Sequence, residues 1–208
     1  LNEKSPNLTT PMPMQIAESA SKDLKRLHLE LGGKAPVVVF DDADIAAAAE
    51  AIAVAGYFNA GQDCTAATRV LAAPGVYDDF VAALTEQALN TATTFENGPG
   101  DEDALVPPVN NVNQFDRVLG FFDRLPDHAR VTAGGEKIGD RGYYVKPSVI
   151  ADVKQNDEVI QSEIFGPVMV LIAYEDEEDA VRIANDTNYG LSGYVSSADP
   201  EKARKVAR

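Results

Sequence analysis

The chain has one cysteine, Cys64, and only two histidines, His28 and His128, in 208 residues. A single cysteine excludes an internal disulfide, so nothing marks a stapled, secreted scaffold. One Cys and two distant His also lack any recognisable zinc-ligand spacing, and no metal is expected. Basic residues are scarce: 18 Lys and Arg against 33 Asp and Glu leave a net charge of −15. That balance argues against partners such as nucleic-acid backbones and anionic membrane surfaces. No apolar run approaches the roughly 18 residues that span a bilayer, and no signal peptide is visible. The expectation is a soluble, cytoplasmic protein. An initial Met is missing as well, and the last predicted helix reaches Arg208 without a cap, as in a piece of a longer chain.

What is present suits one large domain, since a hydrophobic share of 45% is ample for a core. Residues 1–13 hold three prolines without periodicity and read as an irregular leader. A helix is expected over "MQIAESASKDLKR". In "LHLEL" the alternation of Leu27, Leu29 and Leu31 with His28 and Glu30 predicts a strand with one apolar face. "PVVVF" reads as a buried strand, and Asp44 as the cap of a buried helix "IAAAAEAIAVAGYFN" with Gly61 at its C-terminal side. "TRVLAA", "ARVTAG", "YYVKPSVIADV" (interrupted at Pro147), "PVMVLIAYE" and "SGYVSS" follow as strands or extended stretches. "YDDFVAALTEQAL", "FDRVLGFFDRL", "EEDAVRIANDT" and a segment opened by Asp199-Pro200 follow as helices. Between them "FENGPGDEDALVPPVNN" reads as a long polar loop. Alternating strands and helices predict an α/β fold: an open, mostly parallel twisted sheet flanked by helices.

Chemistry has few candidates. Cys64 sits on a loop, as a nucleophile must, but it follows a helix C-terminus and adjoins Asp63, and neither favours a thiolate. The bland alternative is an inert, buried cysteine, and a pairing with His28 has no support in the pattern. Glu30 is turned away from the three leucines and precedes two glycines that admit close backbone approach. Taken alone it also fits a solvated polar face, and Glu163 a surface carboxylate before a strand.

Three separated stretches, "LELGGK", "GQDC" and "EIFGPV", occur in the order found in the aldehyde dehydrogenase superfamily. "APVVVFDDADI" and "ANDTNYGLSGYV" agree with this, so residues 14–208 resemble the family's catalytic domain. The wording "GYFNAGQDCTAATRV" is nearest the aminobutyraldehyde and betaine-aldehyde branch. The resemblance implies NAD- or NADP-dependent oxidation of an aldehyde, with a homo-oligomer as the complete enzyme. It implies that Cys64 attacks the aldehyde to give a thiohemiacetal and then a thioester, and that its own N–H is one oxyanion donor. Glu30 would be the base that activates water. Glu163 would bind the nicotinamide ribose, and Phe165 would lie against the nicotinamide end. Asp63 beside the nucleophile suggests a cationic amino-aldehyde as substrate; the alternatives are that it faces solvent or pairs with Arg69.

The chain departs from the family pattern in several places. The dinucleotide-binding half that precedes this domain in the family is not in the sequence, nor is the C-terminal association segment. "LTTPMP" replaces a glycine-bearing helix start, and "VPPV" replaces a Gly-Pro pair. Two other readings follow from these departures: a catalytically incompetent remnant that folds and self-associates, or a thiol esterase with no redox step.

Overall fold

The computed structural model describes residues 11–208. Its elements, in chain order, are helix α1 (Pro11–Ser21), strand β1 (Pro36–Val39), α2 (Ile45–Tyr57), β2 (Arg69–Ala72), α3 (Tyr77–Asn90) and α4 (Thr94–Asn97). Then come α5 (Val112–Asp123), β3 (Arg130–Ala133), β4 (Ser148–Ala151), α6 (Glu158–Gln161), β5 (Val168–Ala173), α7 (Glu177–Asn185), β6 (Tyr194–Ser196) and α8 (Pro200–Val206). The strands form one six-stranded sheet in the order β3-β4-β5-β2-β1-β6. Only the β3–β4 pair is antiparallel. This is the expected α/β architecture.

Because side chains alternate across a strand, each central strand feeds two cores. Val37, Val39, Val70, Ala72, Met169 and Leu171 pack with Ile52 of α2 and Phe80 and Leu84 of α3. Val38, Leu71, Val168, Val170 and Ile172 face the other way, toward Val118 and Phe121 of α5, Ile160 of α6 and Ile183 of α7. Near-continuous apolar runs such as "VMVLIA" are therefore what a strand covered on both faces requires.

Helix boundaries follow side-chain capping. Asp44 Oδ1 accepts from the Ala47 N–H, and Asp199 Oδ1 accepts from those of Glu201 and Lys202 ahead of Pro200. Asn111 and Asp176 do the same for α5 and α7.

Five expectations need correction. Helix α1 begins at Pro11, inside the stretch read as a leader, because proline in a first turn forfeits only an N–H that has no helical partner. Residues 1–10 of that stretch lie outside the described residues. The same helix ends at Ser21, short of the "KDLKR" that was expected to complete it. "LHLEL" is not a strand: residues 27–31 pair with no neighbour, and Leu27, Leu29 and Leu31 are all exposed. Alternation can select a strand only where a second strand completes the ladder, and β1 is instead flanked by β2 and β6. Finally, α2 is buried on one side only, since Val54 remains 53% exposed. The expected long loop also carries the short helix α4 near its start.

The Tyr57 hydroxyl, fully buried at the end of α2, donates to the Ser148 carbonyl at 3.0 Å and ties that helix to β4. Tyr57→Phe leaves this carbonyl without its donor and is expected to lower stability by about 1–2 kcal/mol in urea denaturation, with the sheet intact by circular dichroism.

Candidate active site

The three stretches that resemble one family lie at the amino ends of three neighbouring parallel strands. "LELGGK" leads into β1, "GQDC" precedes β2 and "EIFGPV" enters β5. Open parallel sheets more commonly use the carboxyl ends for ligands, so this placement is particular to how these loops pack.

They pack backbone against backbone. A Cβ on Gly33 would collide with the Cys64 carbonyl oxygen, and one on Gly32 with the Glu163 carboxylate. Gly33 N–H donates to Glu163 Oε1 at 2.9 Å. On the far side of the cysteine loop, a Cβ on Gly61 would run into the Gly166 carbonyl. The loop itself leaves α2 through three successive left-handed residues, Asn59 (φ 52°), Ala60 (φ 58°) and Gly61 (φ 66°). Two of these are not glycine, which stores strain of roughly 1–3 kcal/mol each unless neighbours hold the turn. Gln62 supplies the hold: its amide donates to the Asn59 carbonyl at 3.1 Å, and its Oε1 accepts from the Asn110 N–H at 2.8 Å. Cys64 follows, half-buried and free of disulfide.

The ledge carrying Glu163 and Phe165 is gripped by α5, a feature the sequence reading missed. Gln114 donates to the Ile164 and Phe165 carbonyls, each at 2.9 Å. The Arg117 guanidinium donates to the Ile164 and Glu163 carbonyls, each at 2.6 Å. This grip holds Phe165 at a φ of 55°, with its ring partly exposed. Burial pushes the Glu163 carboxyl above the usual carboxylate range, against the opposing pull of the Gly33 N–H, Arg117 and Lys34. Arg117 lies on the predicted helix "FDRVLGFFDRL" and Gln114 just before it, and nothing local said which loop they would meet.

Glu30 lies on a loop and not on the expected strand, and Asp63 turns to its own loop. Glu30 Oε1 is 2.6 Å from His28 Nε2, with both side chains 85% exposed. His28 thus pairs with the carboxylate and not with Cys64. Asp63 Oδ1 accepts from the Thr65 N–H at 2.7 Å and the Thr65 hydroxyl at 2.8 Å. It does not pair with Arg69, whose fully buried guanidinium donates to the carbonyls of Lys34, Ile183 and Ala184. Arg69 therefore caps the carboxyl end of α7 and fastens "GGK" to it. Roomier grooves, of about 420, 480 and 560 Å³, run along α3, α4 and β3 and contain none of these residues.

Lys34 is the odd member. It is 2% exposed, and its Nζ has no hydrogen-bond partner among the described residues. Burial lowers its pKa from 10.5 to about 7, helped by Arg69 and opposed by Glu163. Between those two values the unfolded chain holds a proton that the folded chain does not, so this residue makes stability rise with pH across that window. Lys34→Met should flatten that rise and stabilise the protein most near pH 7 and below, by on the order of 4 kcal/mol, read from urea melts at several pH values. Gly33→Ala should act in the opposite sense at all pH values. It must displace the Cys64 backbone, and it is expected to cost several kcal/mol and alter the rate of Cys64 alkylation by iodoacetamide at least severalfold.

A family model described as "Aldehyde dehydrogenase family" matches residues 9–208. A relative from Staphylococcus saprophyticus is 39% identical over 203 residues, which is 95% of this chain and 42% of its own length. Lactaldehyde dehydrogenase from Escherichia coli superposes with a TM-score of 0.87 at 35% identity, over 94% of this chain and 41% of that one. Betaine aldehyde dehydrogenase from Staphylococcus aureus, solved in complex with NAD+, gives a TM-score of 0.88 at 33% identity, over 94% and 39%. The chain thus spans about two fifths of the length of the proteins it matches. With all three signature stretches in order and packed at one end of the sheet, the chain belongs to the aldehyde dehydrogenase family.

Proposed function

We propose that this chain supplies the nucleophilic half of an NAD(P)-dependent aldehyde dehydrogenase, with Cys64 as nucleophile and Glu30 as base. The observation that carries the reading is the seal between Gly33 and the Cys64 carbonyl, with Glu163 bonded to the same glycine. It joins the thiol, the segment bearing Glu30 and the carboxylate suited to a ribose in one rigid unit.

The Cys64 sulfur adds to the aldehyde carbon, and the carbonyl oxygen becomes an oxyanion aimed at the Cys64 N–H. Loss of one such donor typically costs about 3–4 kcal/mol. The residues present fit the nicotinamide end of the cofactor: Glu163 offers acceptors for ribose hydroxyls, and the partly exposed Phe165 ring offers a flat apolar face. The NAD+ complex of the Staphylococcus aureus relative supports this choice of cofactor. When bound, the oxidised nicotinamide supplies the hydride acceptor that converts the thiohemiacetal to a thioester. Glu30 then takes a proton from water, the hydroxide adds to the thioester carbonyl, and the Cys64 sulfur leaves as the carboxylic acid is released. His28 hydrogen-bonded to Glu30 holds that carboxylate in the loop before β1.

An amino-aldehyde is the substrate class favoured by Asp63. Both of its contacts fall on Oδ1, so Oδ2 faces away from Thr65 and can meet a cationic group.

Two measurements test this. Intact mass after mixing with a nitrophenyl ester should show one acyl adduct, lost in Cys64→Ala and at least tenfold longer-lived in Glu30→Gln. An unchanged adduct in Cys64→Ala would overturn the assignment of the nucleophile. In the full-length enzyme, Asp63→Ala should lower kcat/KM for aminobutyraldehyde at least tenfold more than for a neutral aldehyde of similar length, and equal losses would remove Asp63 from substrate selection.

A further inference from the structure

Cys64 occupies the first central position of a tight turn, closed by the Ala66 N–H donating to the Asp63 carbonyl at 3.1 Å. Asp63 Oδ1 takes the Thr65 N–H and hydroxyl from within the turn. The Thr65 carbonyl is held from outside: the Tyr194 hydroxyl donates to it at 2.8 Å, and the Ser192 hydroxyl at 3.3 Å. Tyr194 opens β6 opposite Val37 of β1, and β6, β1 and β2 are consecutive in the sheet. The phenol therefore reaches past β1 to the loop ahead of β2. We propose that Tyr194 is a positioning residue for the cysteine chemistry, acting through this turn to aim and polarise the Cys64 N–H as oxyanion donor. The inference rests on Cys64 being the nucleophile.

Two peptide groups connect the phenol to that N–H. A peptide unit is planar and conjugated, so its carbonyl and its N–H turn together and polarise together. The Tyr194 hydroxyl draws electron density onto the Thr65 oxygen, and the N–H of the same peptide unit, that of Ala66, becomes the better donor to the Asp63 carbonyl. The Asp63 carbonyl in turn shares its peptide unit with the Cys64 N–H. The relay ends on the group that meets the developing oxyanion. Of the amide donors of residues 64–66, those of Thr65 and Ala66 are used inside the turn, and that of Cys64 meets no acceptor among the described residues.

The other contacts of the loop do not set this direction. The peptide after Cys64 is fixed by its carbonyl lying against Gly33 and by Asp63 Oδ1. The peptide before it is fixed by the Ala66 N–H, its one hydrogen-bond partner among the described residues. Control of the Cys64 N–H thus passes through the Thr65–Ala66 unit that Tyr194 holds. Fastening the edge strand is the alternative duty for the phenol. β6 is already paired with β1 over three residues, and the Ser197 hydroxyl just beyond it donates to Asp42 Oδ2 at 2.8 Å.

The test compares two reactions of Cys64 in the full-length enzyme, each followed by the mass of the Cys64 peptide. Acylation by a nitrophenyl ester builds an oxyanion, whereas alkylation by iodoacetamide displaces iodide at a saturated carbon and builds none. Tyr194→Phe should slow acylation roughly three- to tenfold, a fraction of the effect of losing an oxyanion donor outright, and leave alkylation unchanged. Ser192→Ala, which removes the longer contact, should slow acylation less. A ring-fluorinated tyrosine at position 194, a stronger donor while its hydroxyl stays protonated, should acylate faster than the parent. Unchanged acylation in Tyr194→Phe, or an equal fall of both rates, would overturn the inference and leave the nucleophile standing. A parent that forms no adduct at Cys64 would instead remove the nucleophile on which the inference rests.

Discussion

Everything at the candidate site depends on backbones touching where a side chain would normally keep them apart. Gly33 lies against the Cys64 carbonyl, and Gly61 against that of Gly166. Such contacts leave no soft atoms to absorb error, so the position of the Cys64 main chain is set by backbone packing on backbone. Around this seal the longer side chains work as clamps: Gln62 on the strained turn, Gln114 and Arg117 on the Phe165 ledge, and Arg69 on the end of α7. Most of their donors end on backbone carbonyls. A carbonyl is fixed by the fold, so a clamp onto it transmits the rigidity of the sheet to the loops.

The sheet order makes this economical. β5, β2 and β1 are adjacent and parallel, so three loops separated by long stretches of chain emerge side by side at one end. Each strand is covered on both faces and cannot tilt to suit its loop. The two core clusters therefore act on the site only by holding three amino ends level.

Buried cations are the other organising feature. Arg69 and Arg117 remain charged because every donor direction that matters meets a carbonyl. Lys34, with a compact ammonium and no acceptor among the described residues, relaxes by losing its proton near neutrality. One interior thus contains both solutions to the same problem, and the difference lies in hydrogen-bonding geometry and not in depth.

Much was legible from residues alone. Apolar runs such as "VMVLIA" marked strands buried on both faces, and Asp44 and Asp199 marked helix starts, because these signals act within a few residues. The order of "LELGGK", "GQDC" and "EIFGPV" identified the family. What failed did so for lack of a partner: Leu27, Leu29 and Leu31 alternate as a strand should, yet a ladder needs a neighbour that the alternation cannot name. Nor could spacing reveal that Gln114 and Arg117 reach the Phe165 carbonyl ledge, that Arg69 turns from Asp63 to α7, or that Lys34 ends without an acceptor among the described residues. Composition and local pattern determined the α/β class and the starts of α2 and α8, and the order of the three motifs pointed to the candidate nucleophile. Tertiary structure alone decided which groups meet, because contacts across 30 to 130 positions depend on strand order, and strand order is written in no single segment.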